Sequence, residues 1–307
     1  MINSTFSILI TTKNRKKDLE YTLEKIAHLL DRKEIVCIIC DDGSSDGTAN
    51  FIQTKYPAIQ FIQNQKSKGL IFSRNRLLDL VKTEFAISLD DDAHFITENP
   101  FEALVRHFDQ NAACGLIALR IFWGKESPIN IVSNEETARV KGFVGCGHVW
   151  RMKAWLDIPN YPEWFIFYGE EDFAAYQLFK NNWEIHYLPE VLVHHRVDIK
   201  ARKNEKDYYV RIRRSLRSGW YLMLLFYPKR LIPKMLLYTL WIQIRNKPLK
   251  GDILSLFYIF RALLDVLYNF NKLKIYKNRL SMKEYLEFKK LNDTNIYWKP
   301  NELFVKY

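Results

Sequence analysis

The chain is predicted to fold as an α/β protein with a doubly wound, mostly parallel sheet and a C-terminal helical extension. Three observations predict this. Short apolar runs alternate with helix-period segments through the first half. Those runs end on Thr or Asp, at Thr11-Thr12, Asp41-Asp42 and Asp90-Asp91-Asp92. From about Ala201 the composition turns to interrupted apolar runs rich in Lys and Arg.

At 307 residues the chain can bury one large core, or one core and a smaller appended unit. With 48% apolar residues, 15% aromatics and eight Trp it is a folded chain, not a disordered one. The net charge of +11 is unevenly placed: from Arg196 onward 25 Lys+Arg face 9 Asp+Glu, or +16, which leaves −5 for the rest. The expected division is 1–95, 96–200 and 201–307, the first two forming one sheet domain.

Phe6–Thr12 (FSILITT) is the first expected strand, followed by Lys13-Asn14-Arg15. Leu19, Leu23, Ile26 and Leu30 then give a helical core face. Glu34–Cys40 is the second strand. Its Cys37 and Cys40 form a C-x-x-C, but on a strand the two side chains face opposite ways. That spacing therefore fits a core and neither a redox pair nor a zinc knuckle, and it suggests a reducing compartment. A turn (DDGSSDGT) leads to a helix near Thr48, Ile59–Asn64 is a third strand, and a helix carrying Arg74, Leu77, Leu78 and Val81 follows Gly69.

Glu84–Phe95 (EFAISLDDDAHF) is an apolar strand that closes on three acids. Adjacent carboxylates repel unless a cation sits among them. While the chain stays extended, Asp90 and Asp92 point one way and Asp91 the other. Two oxygens so placed suit a hard divalent cation shared with phosphate. Ligands of such sheets lie beyond the carboxyl ends of the strands, so the three polar strand ends should meet in one crevice. Neither G-x-G-x-x-G nor G-x-x-x-x-G-K-[ST] is present, which disfavours a dinucleotide cofactor or ATP hydrolysis. A diphosphate would need a metal and a basic side chain, with Arg74 and Lys13 as candidates.

Taken together, FSILITTKNR, DDGSSDGT, SKGLIFSRN, SLDDDAHF and GEEDF resemble glycosyltransferase family 2, inverting enzymes of GT-A fold, from about Phe6 to Arg196. The resemblance implies a nucleotide-sugar site made by Thr11, Asn14, Arg15, Asp41 or Asp42, Arg74, Asp90 and Asp91. It also implies a DxD motif, Asp90 to Asp92, holding Mn²⁺ or Mg²⁺ on the donor diphosphate. The family often has Asn where this chain has Ser67. Within Gly169-Glu170-Glu171-Asp172-Phe173 the family's Glu-Asp pair falls on Glu171-Asp172. Asp172 is thereby the expected catalytic base, taking the acceptor hydroxyl's proton, and Glu171 its acceptor-orienting neighbour. The same three acids would also suit the first turn of a helix. A His after the strand Glu184–His195 often completes the family's metal site, which points to His195, with His194 second.

Between these motifs, CGLIALRIFW reads as a strand, and Gly142–His148 as a glycine-rich turn in which His148 is structural. Trp164 and Tyr168 suit either a sugar ring or the core. The start of the chain lacks a signal-peptide pattern, and no apolar run is long enough to span a bilayer. After Arg211, Arg213, Arg214 and Arg217, the C-terminal runs suit helices lying in an anionic membrane interface or a cap packed on the sheet domain. No nucleic-acid module is recognisable.

The expectation is a metal-dependent inverting glycosyltransferase, peripheral on the cytoplasmic face of the cell membrane. It would move a sugar from a UDP- or dTDP-sugar to a hydroxyl of a glycan or lipid-linked acceptor in cell-surface polysaccharide synthesis. The alternatives are a sugar-1-phosphate nucleotidyltransferase and a non-catalytic membrane-surface scaffold with a degenerate fold.

Overall fold

A computed structural model describes residues 5–197 and 207–299; the expected boundary at 200/201 lies outside them. In chain order the elements of the sheet domain are β1 (Phe6–Thr12), α1 (Lys16–Lys25), α2 (Ala27–Leu30), β2 (Ile35–Asp41), α3 (Thr48–Lys55), β3 (Gln60–Gln63), α4 (Leu70–Leu78) and β4 (Phe85–Asp90). There follow β5 (Ala93–Phe95), α5 (Phe101–Gln110), β6 (Cys114–Trp123), β7 (Ala138–Val140), β8 (Gly147–Arg151), α6 (Met152–Leu156), α7 (Glu170–Lys180) and β9 (Glu184–His195). Helices α8 (Tyr208–Phe226), α9 (Ile232–Asn246), α10 (Ile253–Tyr268), α11 (Phe270–Ile275) and α12 (Met282–Lys290) complete the chain.

One sheet runs β3-β2-β1-β4-β8-β6-β9-β5, with β7 also paired to β9. Strands β1 to β4, β6 and β9 run one way; β5, β7 and β8 run the other. The period-2 pattern sorts each strand between two apolar layers. In β1, Phe6, Ile8 and Ile10 pack with Leu19 and Leu23 of α1, while Leu9 faces α4 and α6. Cys37 and Cys40 fall into different layers, both buried and free. Full burial of a Phe, Leu or Ile side chain contributes about 1.5–3 kcal/mol. A one-residue slip of β1 would send Phe6, Ile8 and Ile10 to the wrong layer together, which fixes the register.

That register aligns the polar strand ends: Thr11 lies beside Asp90 and Thr12 beside Asp41. After Asp90 the chain leaves β4, and β5 pairs antiparallel with β9, placing Ala93 opposite His195. The Asp92 carbonyl accepts from Arg196 N at 3.0 Å. This switch carries Asp92 to the end of β9.

The C-terminal helices divide between two roles. Helix α8 packs on the sheet domain through Tyr221 against Trp164 and Phe165, and Phe226 against Phe173 and Tyr176. Phe288 of α12 packs on Tyr176 and Phe179. These are the contacts of a cap. Helices α9 and α10 instead present Leu237, Tyr238, Trp241, Phe257, Phe260 and Leu267 to solvent. Among the described residues no helix is long and apolar enough to cross a membrane.

Candidate active site

Two arginines organise the acids at the strand ends. Arg15, preceding α1, places Nη1 3.0 Å from Asp91 Oδ1 and Nη2 2.7 Å from Asp92 Oδ2. Asp91 also accepts from Thr12 Oγ1 at 2.9 Å, and its carbonyl from Thr22 Oγ1 at 2.7 Å. It thus points toward α1, away from Asp90; the chain has left β4 here, and Asp92, expected to face the other way, meets the same Arg15. Burial pushes the Asp91 carboxyl upward, while Arg15 and Thr12 pull it back.

Asp90 turns to the other layer, where Arg74 Nη2 donates to its Oδ1 at 3.0 Å. Arg74 Nη1 reaches Glu170 Oε1 at 3.0 Å and Glu171 Oε1 at 3.5 Å, and Nη2 also reaches the Gly145 carbonyl at 3.2 Å. One buried guanidinium therefore joins the acids after β4 to those opening α7. Gly145 permits it: a Cβ there would fall 2.3 Å from Glu171 Oε1 and 2.9 Å from both Arg74 nitrogens.

His195 Nε2 lies 3.1 Å from Asp92 Oδ1 and 3.9 Å from Asp90 Oδ2, its ring stacked on Trp123. Burial would raise Asp92, but hydrogen bonding and charge from His195 and Arg15 overcome it and hold the carboxyl well below the usual range. His195 Nε2 thus has a hard carboxylate oxygen of Asp92 and one of Asp90 near it, donors of the kind that suit Mn²⁺ or Mg²⁺. The group here whose ligand atoms all lie within 4.8 Å of one another is Asp90, Cys146 and His195. Burial pushes the Cys146 thiol up.

The acids on β2 are committed to loop structure. Asp42 accepts from Asn64, Ser67 Oγ (2.6 Å), Lys68 N, Gly69 N and Ser73. Against the upward push of burial, these donors hold it below its ordinary value. Ser67, where the family often has Asn, thus fastens the 64–69 loop to β2. Asp41 accepts from Ser44 and from Gln63 Nε2 at 2.9 Å. Asn14 ties the two neighbouring loops, its Oδ1 accepting from Ser45 N at 2.7 Å. Thr11 lines a small cavity with Arg74 and Ser88.

Of the three acids on α7, Glu170 is buried and its pKa is pushed up to about 8 by burial and by Glu171, against Arg74. Glu171 is partly open to the crevice. Asp172 keeps solvent contact at the rim. Surrounding protein and then Glu171 push it up to about 6, with Lys141 opposing. The sequence gives no sign that Glu170 is the member of the triplet buried against Arg74, because adjacent residues on a helix differ only in the side they face. His148 is fully buried, with Nδ1 at 3.2 Å from the Val144 carbonyl, and burial lowers it to about 3. His194 Nε2 donates to the Gly124 carbonyl at 2.8 Å. Trp164 is core-facing, and Tyr168 lies beside α8.

The α/β sheet with its acid-rich switch point has the GT-A fold. Residues 7–156 match the family model "Glycosyl transferase family 2". The chain is 36% identical over 92 residues to the Escherichia coli UDP-Glc:alpha-D-GlcNAc-diphosphoundecaprenol beta-1,3-glucosyltransferase WfaP, a match covering 30% of this chain and 36% of that protein. GalNAc-T7 with UDP, GalNAc and Mn²⁺ superposes with TM-score 0.60 at 15% identity, over 74% of this chain and 49% of that one. Residues 1–349 of S. aureus TarS give 0.54 at 16%, over 72% and 64%. The Pyrobaculum calidifontis mannosyltransferase PcManGT with GDP-Man and Mn²⁺ gives 0.54 at 13%, over 94% and 79%. The chain thus spans about a third of WfaP and about half of GalNAc-T7, and the structural likenesses establish the fold.

Proposed function

We propose that this chain is a metal-dependent, inverting glycosyltransferase that moves a sugar from a UDP- or dTDP-sugar to a hydroxyl of a lipid-linked or glycan acceptor. The observation that carries the reading is the Arg74 bridge, which holds Asp90 and Glu171 to one guanidinium. It joins the start of α7, which carries the candidate base, to the acids after β4. The relative named for a UDP-Glc donor and a diphosphoundecaprenol-linked acceptor supports the substrate classes, and solved neighbours holding UDP or Mn²⁺ support the donor and the ion.

Asp90, Asp92 and His195 would hold Mn²⁺ or Mg²⁺, which when bound neutralises charge on the leaving diphosphate. Arg15, braced by Asp91, positions Asp92, while Arg74 fixes Asp90, Glu170 and Glu171 in place. In the transfer, the acceptor oxygen bonds to the anomeric carbon, the carbon–phosphate oxygen bond breaks, and the hydroxyl proton passes to a carboxylate. Asp172 is the candidate for that role, because desolvation and then Glu171 push its carboxyl up to about 6, whereas Glu171 Oε1 lies 3.5 Å from the Arg74 cation. Glu171 would orient the acceptor.

The exposed apolar faces of α9 and α10, with Lys234, Arg245 and Arg261 among them, suit attachment to an anionic membrane surface. Donor hydrolysis screened across sugar nucleotides tests the enzymatic reading. Release of nucleoside diphosphate from a UDP- or dTDP-sugar in the presence of Mn²⁺ is expected, and its absence for every donor would refute the proposal.

A further inference from the structure

Cys114 opens β6 at the end remote from Trp123, the residue stacked on His195. There His107, Cys114 and His186 each offer a ligand atom, and the three atoms all lie within 4.8 Å of one another. They come from three elements: the last turn of α5, the start of β6 and the start of β9. All three residues are buried. The convergence depends on a bulge. Cys114 pairs with Glu184 but Leu116 with Ile185, so β6 carries one extra residue, Gly115. Strict alternation would put Cys114 on the face of Leu116. With the bulge it joins Ile117 and Phe108 in one layer, while Leu116 lies in the other. A side chain at 115 would not fit, since its Cβ would fall 2.7 Å from Ala154 Cβ. Arg151 then clamps the two segments, donating from Nε to the Cys114 carbonyl at 2.9 Å and from Nη2 to the Phe108 carbonyl at 2.8 Å.

The hydrogen bonds already sort the nitrogens. His186 Nε2 lies 2.9 Å from Glu184 Oε2, and the other oxygen of that carboxylate is 2.8 Å from Arg139 Nη1. An ionised carboxylate only accepts, so His186 carries its proton on Nε2 and turns the Nδ1 lone pair inward. His107 Nε2 stands 2.9 Å from that lone pair. Moving the His107 proton to Nδ1 gives two inward lone pairs beside a thiol. Glu184, behind the His186 ring, is the outer carboxylate that metal-bound imidazoles commonly have. Tetrahedral Zn²⁺ sets two ligating nitrogens about 3.3 Å apart and each about 3.6 Å from a thiolate sulfur. The two rings therefore need to part by only about 0.4 Å. Burial pushes the Cys114 thiol up to about 12, so an ion that binds here displaces the thiol proton to water. Ion, thiolate and the Glu184 carboxylate then sum to zero charge.

We propose that His107, Cys114 and His186 form a metal site of their own, for Zn²⁺, which pins α5 to β6 and β9. His107 Nε2, His186 Nδ1 and Cys114 Sγ are the ligands, and water takes the fourth position. A thiolate with two imidazoles selects Zn²⁺ over Mn²⁺ or Mg²⁺, the ions that carboxylate oxygens suit. This site and the acids after β4 therefore draw on different ions. The inference stands independently of the glycosyltransferase reading.

Cobalt is the probe. The full chain is stripped with EDTA, titrated with Co²⁺ and followed by absorption. The wild type should develop a thiolate-to-cobalt charge-transfer band, which added Zn²⁺ should bleach. Cys146→Ser should keep the band, which separates this site from Asp90 and His195. Cys114→Ser, and separately His186→Gln, should lose it, with circular dichroism checking that each variant folds. Glu184→Ala removes only the outer carboxylate and should weaken Zn²⁺ binding by about 10–100-fold. Absence of the band in the wild type would overturn the proposal, since the two rings and the thiol would then be a hydrogen-bonded core cluster. A band lost in Cys146→Ser, or kept in Cys114→Ser, would overturn it as well. The wild type and Cys146→Ser decide the matter even where a buried variant fails to fold.

Discussion

Arg74 Nη1 stands 3.0 Å from Glu170 Oε1, across 96 residues of chain and inside the protein. The same guanidinium holds Asp90 and Glu171. Removing it would leave Glu170 buried without its cation, and losing one member of a buried ion pair costs roughly 3–5 kcal/mol. Arg74→Ala should therefore lose stability on that order in urea denaturation. Arg74→Lys should lose part of it, because an ammonium cannot reproduce the fork. Equal stability of wild type and Arg74→Ala would show that the bridge is not structural.

The α7 acids separate by role in kinetics. Asp172→Asn should lower transfer by about 10²–10⁴-fold while calorimetric UDP binding is kept. Glu171→Gln should act mainly through the acceptor KM. The reverse pattern, with Glu171→Gln abolishing turnover and Asp172→Asn nearly silent, would move the base to Glu171.

Asp172 also leaves a mark on stability. Its folded pKa of about 6 lies above the ordinary 3.8. Between those values the folded chain keeps a proton that the unfolded chain has released, so this group makes stability fall as pH rises from about 4 to about 6. Stability measured across that window should be flatter in Asp172→Asn. Parallel curves for the two proteins would show that its surroundings leave the group unshifted.

Flotation addresses the outer helices. The protein should float with anionic liposomes at low salt and less at high salt, because Debye screening weakens contact with headgroups. A triple change of Trp241, Phe257 and Phe260 to Ser should weaken flotation at both. Protein that stays at the bottom under all conditions would argue that α9 and α10 meet something other than a membrane.

Much of this was legible in the sequence because it follows from local periodicity. Alternation placed Cys37 and Cys40 in opposite layers, but across the three aspartates it stops at Asp90, where the chain leaves β4, so Asp91 and Asp92 share Arg15 instead of facing opposite ways. The strand ends met as the carboxyl-end rule requires. What the sequence hid depends on contacts made across the fold. The pairing of Glu170 with Arg74 is such a case, as is the closing of Asp42 by five donors. So is the splitting of the C-terminal third into a cap (α8, α12) and helices with exposed apolar faces (α9, α10). Composition registers an apolar, basic segment but not which of its faces is covered. The antiparallel return of β5 onto β9, which delivers Asp92 to His195, lies in three residues too short to show a period.

The central claim is that Asp90, Asp92 and His195 gather a divalent ion against a nucleoside diphosphate, and isothermal titration with UDP tests it most directly. The wild type is expected to bind UDP with Mn²⁺ present and far more weakly without it, and Asp92→Asn or His195→Ala should cost about 10–100-fold of the metal-dependent affinity. UDP binding of equal strength with and without Mn²⁺, unchanged by either substitution, would contradict the account.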